Sequence, residues 1–568
     1  MKSIGKKALC ALLAAVLLWS VPISVLAVED EDFPAYTEIL EKITEEVPEQ
    51  DIPEPDESGE EVQAEQIVEP PPEQDEPAAV PQAAPLLSIG GGGFTLAPAE
   101  DVSRYPIVRF GGAMNTLYEN WNSPGETIVF QNNFFTFDNL WPVVKDAFLA
   151  FCRLDYDGVA DILSDFLWEW YGPVRMNNEG DSENKNLTIN RWDEMWYIGE
   201  NNTAYFCTDW REDPYISAYK LKAYIDSSGY AKVNLMGVSG NGNTVLAYLK
   251  LFGPYKLASL FFNISFHGGS SLYGGLATQK IAINGHSLGN ISINKMNEKF
   301  IDPDPLEWLV RVLFETGILG LVGKIFKFNY DRVVQKVYED AAIPLLFTMP
   351  HIWSYVPPEL YEDAKWLLFK GDPKYDKLVE RIDWYHYEVM ANQYELLQDA
   401  AKVIKVAVRA GYDMPLYGIV EGANVHSDEK VDTTYASFGA TCAPLNKPFL
   451  RSYQQQVPSE HNYISPDRMI DASTCAIPEV TWFGKHQPHR GSGEYEGWYD
   501  WFLREKVDYT VHGAPEAFGQ WQAHQGDDHF IPLVVGEPRP AILDYLNLAV
   551  LWIMKAWRFM LLLPLFWV

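Results

Sequence analysis

From Tyr105 onward the chain alternates short apolar runs with longer amphipathic stretches, and no other feature limits its fold so tightly. The runs are YPIVRF (105–110), TAYFC (203–207), KVNLMG (232–237), LASLFFNI (257–264), PLYGIV (415–420) and EVTWFG (479–484). Runs this short, rich in Val, Ile, Leu and aromatic residues, suit strands buried on both faces. The helical stretches between them supply the crossovers that parallel strands require. An α/β architecture with a mostly parallel sheet follows. Between about 290 and 410 the pattern turns mostly helical, as in LEWLVRVLFETGILGLVGKIF and DKLVERIDWYHYEVMANQYELLQDAAKVIKVAVRA. A helical cap inserted into the strand series accommodates that block.

The flanks are of a different kind. Lys2, Lys6 and Lys7 precede an apolar run from Ala8 to about Trp19, and Val25-Leu26-Ala27 suits a small-residue cleavage site. Residues 1–27 therefore read as a signal peptide, which implies a secreted or cell-surface protein. Between Glu29 and Glu76 stand 20 acidic residues and a single lysine, Lys42, a net charge of −19. Such a proline-rich, acidic segment buries too little apolar surface to offset its ordering entropy. Residues 28–100, with GGGG at 90–93, are expected to form an extended linker. The domain then spans 101–540. The whole chain carries −34 and shows no basic patch, which argues against nucleic acid as a partner. Four cysteines follow the signal: Cys152, Cys207, Cys442 and Cys475. In an exported chain Cys442 with Cys475 is the first pairing to consider, with buried free thiols as the alternative.

Two segments carry a candidate nucleophilic serine. GHSLG (285–289) satisfies G-x-S-x-G in full, whereas GVSGN (237–241) breaks it at Asn241. A nucleophile elbow is a strand, a sharp turn and a helix, with small residues where strand and helix approach. Ser239 has that context. Val233, Leu235 and Met236 give the strand, Gly237, Gly240 and Gly242 surround the serine, and NTVLAYLKLFG continues as a helix ending at Gly253. Ser287 is preceded by the short KIAIN and followed by the Asn-rich NISINKMNEKF, which has no continuous apolar face.

The neighbourhood of Ser239 resembles the lecithin:cholesterol acyltransferase-like lipases, a family of α/β-hydrolases. FCTDWREDP (206–214) is similar to the family's Asp-Trp-Arg segment, and ISFHGGSSLYGGL (264–276) to its Thr-Pro-His-Gly-Gly-Ser stretch. FTMPHIWSYVPP (347–358) resembles its Met-Pro-containing segment, and YPIVRFGGAMN (105–115) its first strand and oxyanion loop. The resemblance spans roughly 105 to 490, about two-thirds of the chain. It implies an α/β-hydrolase fold, a nucleophile at Ser239 and acyl chemistry on lipid esters, with no cofactor.

The remaining machinery follows from the chemistry. A serine needs a base of near-neutral pKa, and the base needs a carboxylate to fix its tautomer. The order in this fold is Ser, acid, His. KHQPHRG after the EVTWFG strand offers His486 and His489, and the family's spacing favours His489. For the acid, SPDRMIDAST (465–474) is similar to the family's Asp-Gly-x-Val turn, which implies Asp467 with Arg468 in place of the glycine. Asp428, Asp432 and Asp471 are alternatives. Oxyanion donors are expected from Gly240 and from Gly112 or Ala113. HQGDDH (524–529) has the residue types of a metal site, but its spacing matches no strong zinc pattern, so no metal is expected. Residues 541–568 form an apolar helix with a stripe of Asp544, Asn547, Lys555 and Arg558. It suits either docking on the domain or lying at a membrane surface. The expectation is an exported serine esterase, lipase or O-acyltransferase. The alternative is a silent lipid- or surface-binding protein of the same fold, suggested by Asn241 and Arg468 at family glycine positions.

Overall fold

The computed structural model describes residues 95–110, 116–121, 123–130, 142–143, 146–147, 149–150, 153–189, 202–280, 331–416, 420–445, 447–489, 497–525 and 529–534. The expected signal peptide, residues 28–94 of the expected linker, the 290–330 part of the expected cap, Ser287 and the expected helix over 541–568 lie outside the described residues.

An eight-stranded sheet runs through the domain. Its strands are β1 (Ile107–Phe110), β2 (Thr203–Phe206), β3 (Val233–Val238), β4 (Leu257–Asn263), β5 (Lys405–Tyr412), β6 (Thr481–Lys485), β7 (Trp521–His524) and β8 (Phe530–Pro532). The spatial order is β2-β1-β3-β4-β5-β6-β7-β8. Every neighbouring pair is parallel except β7 with β8, which closes the edge antiparallel. Every residue of β3, β4 and β5 is buried. Leu235, Leu260, Val406 and Val408 are wholly shielded from water, each contributing about 2 kcal/mol of hydrophobic stabilisation.

Helices α1 (Pro214–Ser227), α2 (Gly242–Phe252), α3 (Ser271–Ala277) and α4 (Gln393–Val403) join these strands. Pro214 opens α1 behind the Asp213 cap, whose carboxylate accepts the Tyr215 N–H. Helix α2 ends where Gly253 takes φ +59° and its N–H returns to the Leu249 carbonyl. Leu246 and Ala247 on α2 are fully buried, so the helix directly behind Ser239 is held by the core.

Five of the six expected strand runs form strands. The sixth moves. PLYGIV supplies only Met414–Pro415, which pairs with His426–Ser427, and residues 417–419 lie outside the described set. The strand is instead KVAVRAGY, which the sequence pattern assigns to a helix. Helix α4 ends at Val403, Ile404 is extended and β5 begins at Lys405. The helical block described here therefore ends at 403 rather than 410, and α4 packs against α2 and β5.

Of the two readings of the cysteines, the Cys442–Cys475 disulfide does not form. Cys207, Cys442 and Cys475 are free thiols. The strands Thr441–Cys442 and Ile470–Asp471 pair antiparallel. The loop is closed instead by a hydrogen bond from the Thr441 N–H to Thr474 Oγ1 at 2.8 Å. Burial pushes the Cys442 thiol up to about 12 and the Cys475 thiol well above its ordinary range. Cys152 lies outside the described residues.

Candidate active site

Strand β3 ends at Val238, and Ser239 follows with φ +53°. A non-glycine residue in left-handed backbone is uncommon and costs about 1–3 kcal/mol unless its surroundings enforce it. Here a tight helical turn, Ser239–Asn241, runs straight into α2. The small residues around the serine are required by packing. A Cβ on Gly237 would lie 3.0 Å from Val245 Cγ2, and one on Gly242 would lie 2.6 Å from Ser265 Cβ. Strand and helix can approach this closely only without those atoms. Asn241 is not such a position. Its φ of −74° is right-handed, and its Oδ1 accepts the Thr208 hydroxyl at 3.0 Å. The asparagine is accommodated as a buried hydrogen-bonding residue.

Ser239 Oγ lies 2.8 Å from His489 Nε2, and His489 Nδ1 lies 2.9 Å from Asp428 Oδ2. Both His489 and Asp428 are buried. With the Nδ1 proton donated to Asp428, Nε2 is left to accept the serine proton. Asp428 is itself fixed, because its Oδ1 accepts the backbone N–H groups of Lys430 (3.0 Å) and Val431 (2.8 Å). Such an arrangement can move a proton from a serine hydroxyl to a histidine whose charge is matched by a buried carboxylate.

Strand β5 makes this convergence possible. Gly411, near its end, has Asp428 on one side and the His489 loop on the other. A Cβ there would meet Asp428 Cβ at 2.7 Å and the Gln487 carbonyl oxygen at 2.8 Å. The loop is anchored to the same strand. The His486 N–H donates to the Tyr412 carbonyl at 2.9 Å, and Arg409 Nε donates to Gln487 Oε1 at 3.0 Å.

The carboxylate that reaches His489 is therefore not the expected Asp467 but Asp428, one of the alternatives. Asp467 does not reach His489. Its Oδ2 accepts from Lys485 Nζ at 2.9 Å and from the Tyr412 hydroxyl at 3.1 Å, and its Oδ1 accepts from Ser465. It belongs to a charged cluster in which Lys485 also pairs with Asp413 at 3.2 Å. Asp432 accepts the N–H and hydroxyl of Ser271 at the start of α3. Asp471 accepts the Tyr453 hydroxyl and caps Ala472–Thr474. His486 is exposed and pairs with Asp413 at 3.1 Å. The sequence does carry a signal for the acid. Asp428-Glu429-Lys430-Val431 has the Asp-x-x-Val spacing, and Glu429 takes φ +85°, the backbone a glycine would adopt. Arg468 does likewise after Asp467, at φ +60°, so both turns imitate the glycine motif and only one faces the histidine.

Gly240 follows Ser239 and opens the turn that leads into α2, where backbone N–H groups lack partners within the helix. Gly112 and Ala113 lie outside the described residues. No cluster of metal-binding side chains occurs among the described residues, and residues 526–528 of HQGDDH lie outside them. No described helix is long and apolar enough to cross a membrane.

The other segments singled out in the sequence are held by buried contacts of their own. Arg211 grips Asp209 through Nε (2.9 Å) and Nη2 (2.6 Å), and its Nη1 donates to the Val174 carbonyl. Burial alone would raise the Asp209 carboxyl, but Arg211 outweighs it and holds that group below its usual range. His351 bridges toward Glu212, its Nδ1 3.1 Å from that carbonyl oxygen. Burial lowers it to about 4, so it is neutral at ordinary pH. His267 stacks on Phe438 with ring centroids 3.6 Å apart.

No protein-family model matches the chain, and no curated protein matches it. Among solved structures, a chain of "The crystal structure of Tle4-Tli4 complex" is similar at 12% identity over 54% of this chain and 74% of that one, with a TM-score of 0.22. A likeness that slight carries no conclusion about fold or activity.

Proposed function

We propose that the protein is a serine hydrolase or acyltransferase with the α/β-hydrolase fold, acting on lipid or related acyl esters. Ser239 attacks the ester carbonyl, His489 takes its proton and returns it to the leaving alcohol, and Asp428 orients the imidazole. The acyl-serine intermediate then passes to water or to another hydroxyl. The observation that carries this reading is the unbroken Ser239–His489–Asp428 relay beside the N-terminus of α2. Three residues far apart in the chain meet at hydrogen-bonding distance, and the serine sits in left-handed backbone at the strand end. The resemblance of the surrounding segments to lipases supports lipid esters as the substrate class. Export, and membrane-surface contact through 541–568, belong to the same proposal.

A fluorophosphonate probe tests it. Labelling of the folded protein that disappears in Ser239→Ala is expected. Labelling that survives Ser239→Ala but is lost in Ser287→Ala would move the nucleophile to GHSLG. Absence of labelling in folded wild-type protein would favour a silent binding protein.

A further inference from the structure

Tyr355 faces the residue that follows the nucleophile. It comes after the short helix Pro350–Trp353. Its ring is buried against Tyr273 (4.6 Å between centroids), Phe266 (4.9 Å) and His351 (5.2 Å). Phe266 is shared, since its ring also lies 5.4 Å from that of His489. The Tyr355 hydroxyl extends over Gly240: a Cβ built on Gly240 would lie 2.1 Å from it. The residue after Ser239 therefore has no room for a side chain, because the tyrosine oxygen occupies that space.

The backbone beneath it is fixed. The Tyr355 N–H donates to the Ile352 carbonyl at 3.1 Å, and its carbonyl accepts the Ser270 N–H at 2.8 Å. Asn243, on α2, donates to the Ser354 carbonyl (3.2 Å) and to Ser354 Oγ (2.5 Å). The nucleophile helix and the segment carrying Tyr355 are thus tied directly to each other. A donor held this way needs no reorganisation when charge develops beside it.

We propose that the Tyr355 hydroxyl is a side-chain oxyanion donor that binds the ester oxygen together with the Gly240 N–H. This rests on the reading in which Ser239 attacks an ester. As the Oγ–C bond forms, the serine proton passes to His489 Nε2 and the carbonyl π pair moves onto oxygen. Tyr355 donates a hydrogen bond to that oxygen and keeps its proton. Collapse restores the carbonyl and expels the alkoxide, which takes the proton from the His489 imidazolium. Burial among rings raises the phenol above its ordinary range, so it remains a donor throughout neutral pH.

Tyr355→Phe keeps the ring packing and removes only the donor. On a p-nitrophenyl ester, kcat is expected to fall about 10²-fold with KM within about twofold. Fluorophosphonate labelling should slow in parallel, since the phosphonyl oxygen takes the same place. Gly240→Ala should lower the melting temperature, and adding Tyr355→Phe should recover part of that loss without restoring kcat, because the ring carbons at 3.0 and 3.2 Å remain. Wild-type protein that takes no label would sink the ester reading and this one with it. Labelled wild type with an equally fast, folded Tyr355→Phe would overturn this inference alone. So would a change in KM with kcat intact, or no rescue of Gly240→Ala.

Discussion

Asp428→Asn separates the two candidate acids. In the wild-type protein Oδ1 takes the N–H groups of Lys430 and Val431, and Oδ2 takes the His489 Nδ1 proton. Two backbone donors converge on one oxygen, so a carboxamide keeps its oxygen there and turns its NH₂ toward His489. Nδ1 must then accept. The ring proton moves to Nε2, which can no longer receive the proton of Ser239. The shape is unchanged, yet kcat should fall about 10³- to 10⁴-fold, or about 4–5.5 kcal/mol of barrier. Asp467→Asn should behave otherwise. Lys485 keeps Asp413 at 3.2 Å, so the loss is about 1–3 kcal/mol of stability, with kcat within about threefold. Initial rates on a soluble ester, with melting curves to confirm folding, give both numbers. If Asp467→Asn abolishes turnover while Asp428→Asn retains it, the reasoning from the relay is refuted.

Three further outcomes follow from the geometry. Asn241→Gly removes the acceptor of the Thr208 hydroxyl and loosens the turn, costing about 1–2 kcal/mol in denaturant unfolding; a large gain in kcat would show instead that the asparagine impedes the elbow. Gly411→Ala puts a methyl within 2.8 Å of both Asp428 Cβ and the Gln487 carbonyl oxygen, and should lower kcat at least tenfold; full activity would mean that the acid and histidine loops are not held apart by this contact. Stability should fall between pH 7.5 and 5.5. Burial lowers His351 to about 4 and His267 and His386 to about 3. The unfolded chain binds their protons below about 6.5 while the folded one does not, so each loses about 1.4 kcal/mol by pH 5.5. Asp213 and Asp432, raised by burial to about 6, are protonated first in the folded state and return about 0.8 kcal/mol each by pH 5.5. A net loss of about 2–3 kcal/mol remains, and stability that holds or rises on acidification would contradict it.

The strands, and the strand–turn–helix around the candidate Ser239, were legible because their signals are local. A buried parallel strand needs a continuous apolar run, and an elbow needs small residues flanked by a strand and a helix. GVSGN has both, and Asn241 costs little because position 241 asks for right-handed backbone. Strand β5 was not legible, for a reason particular to its charges. Lys405 and Arg409 stand four residues apart and read as the polar stripe of a helix continuing from α4. In the fold both are buried within the sheet. Lys405 Nζ donates hydrogen bonds among the carbonyls of Glu100, Phe502, Leu503 and Glu505, its three N–H groups shared between four acceptors. Arg409 reaches Gln487 and lies over the Phe530 ring at 4.1 Å. Periodicity reports which residues are polar, not whether tertiary partners allow them inside.

The acid failed to show itself for a related reason. Both Asp428 and Asp467 precede a non-glycine residue with positive φ, so both satisfy the turn while departing from its glycine. What decides between them is which turn lies across β5 from the histidine loop. That depends on Gly411, which leaves room for Asp428 against the strand while Gln487 closes from the other side. Asp467 sits instead beside Lys485, an ammonium it shares with Asp413. The Asp467 carboxylate meets Lys485, Tyr412 and Ser465, whereas Asp428 is held by two backbone N–H groups and one imidazole. An imidazolium formed at His489 would therefore be matched by Asp428 alone of these two, and that makes the small glycine on β5, rather than the motif around either aspartate, the residue that selects the acid.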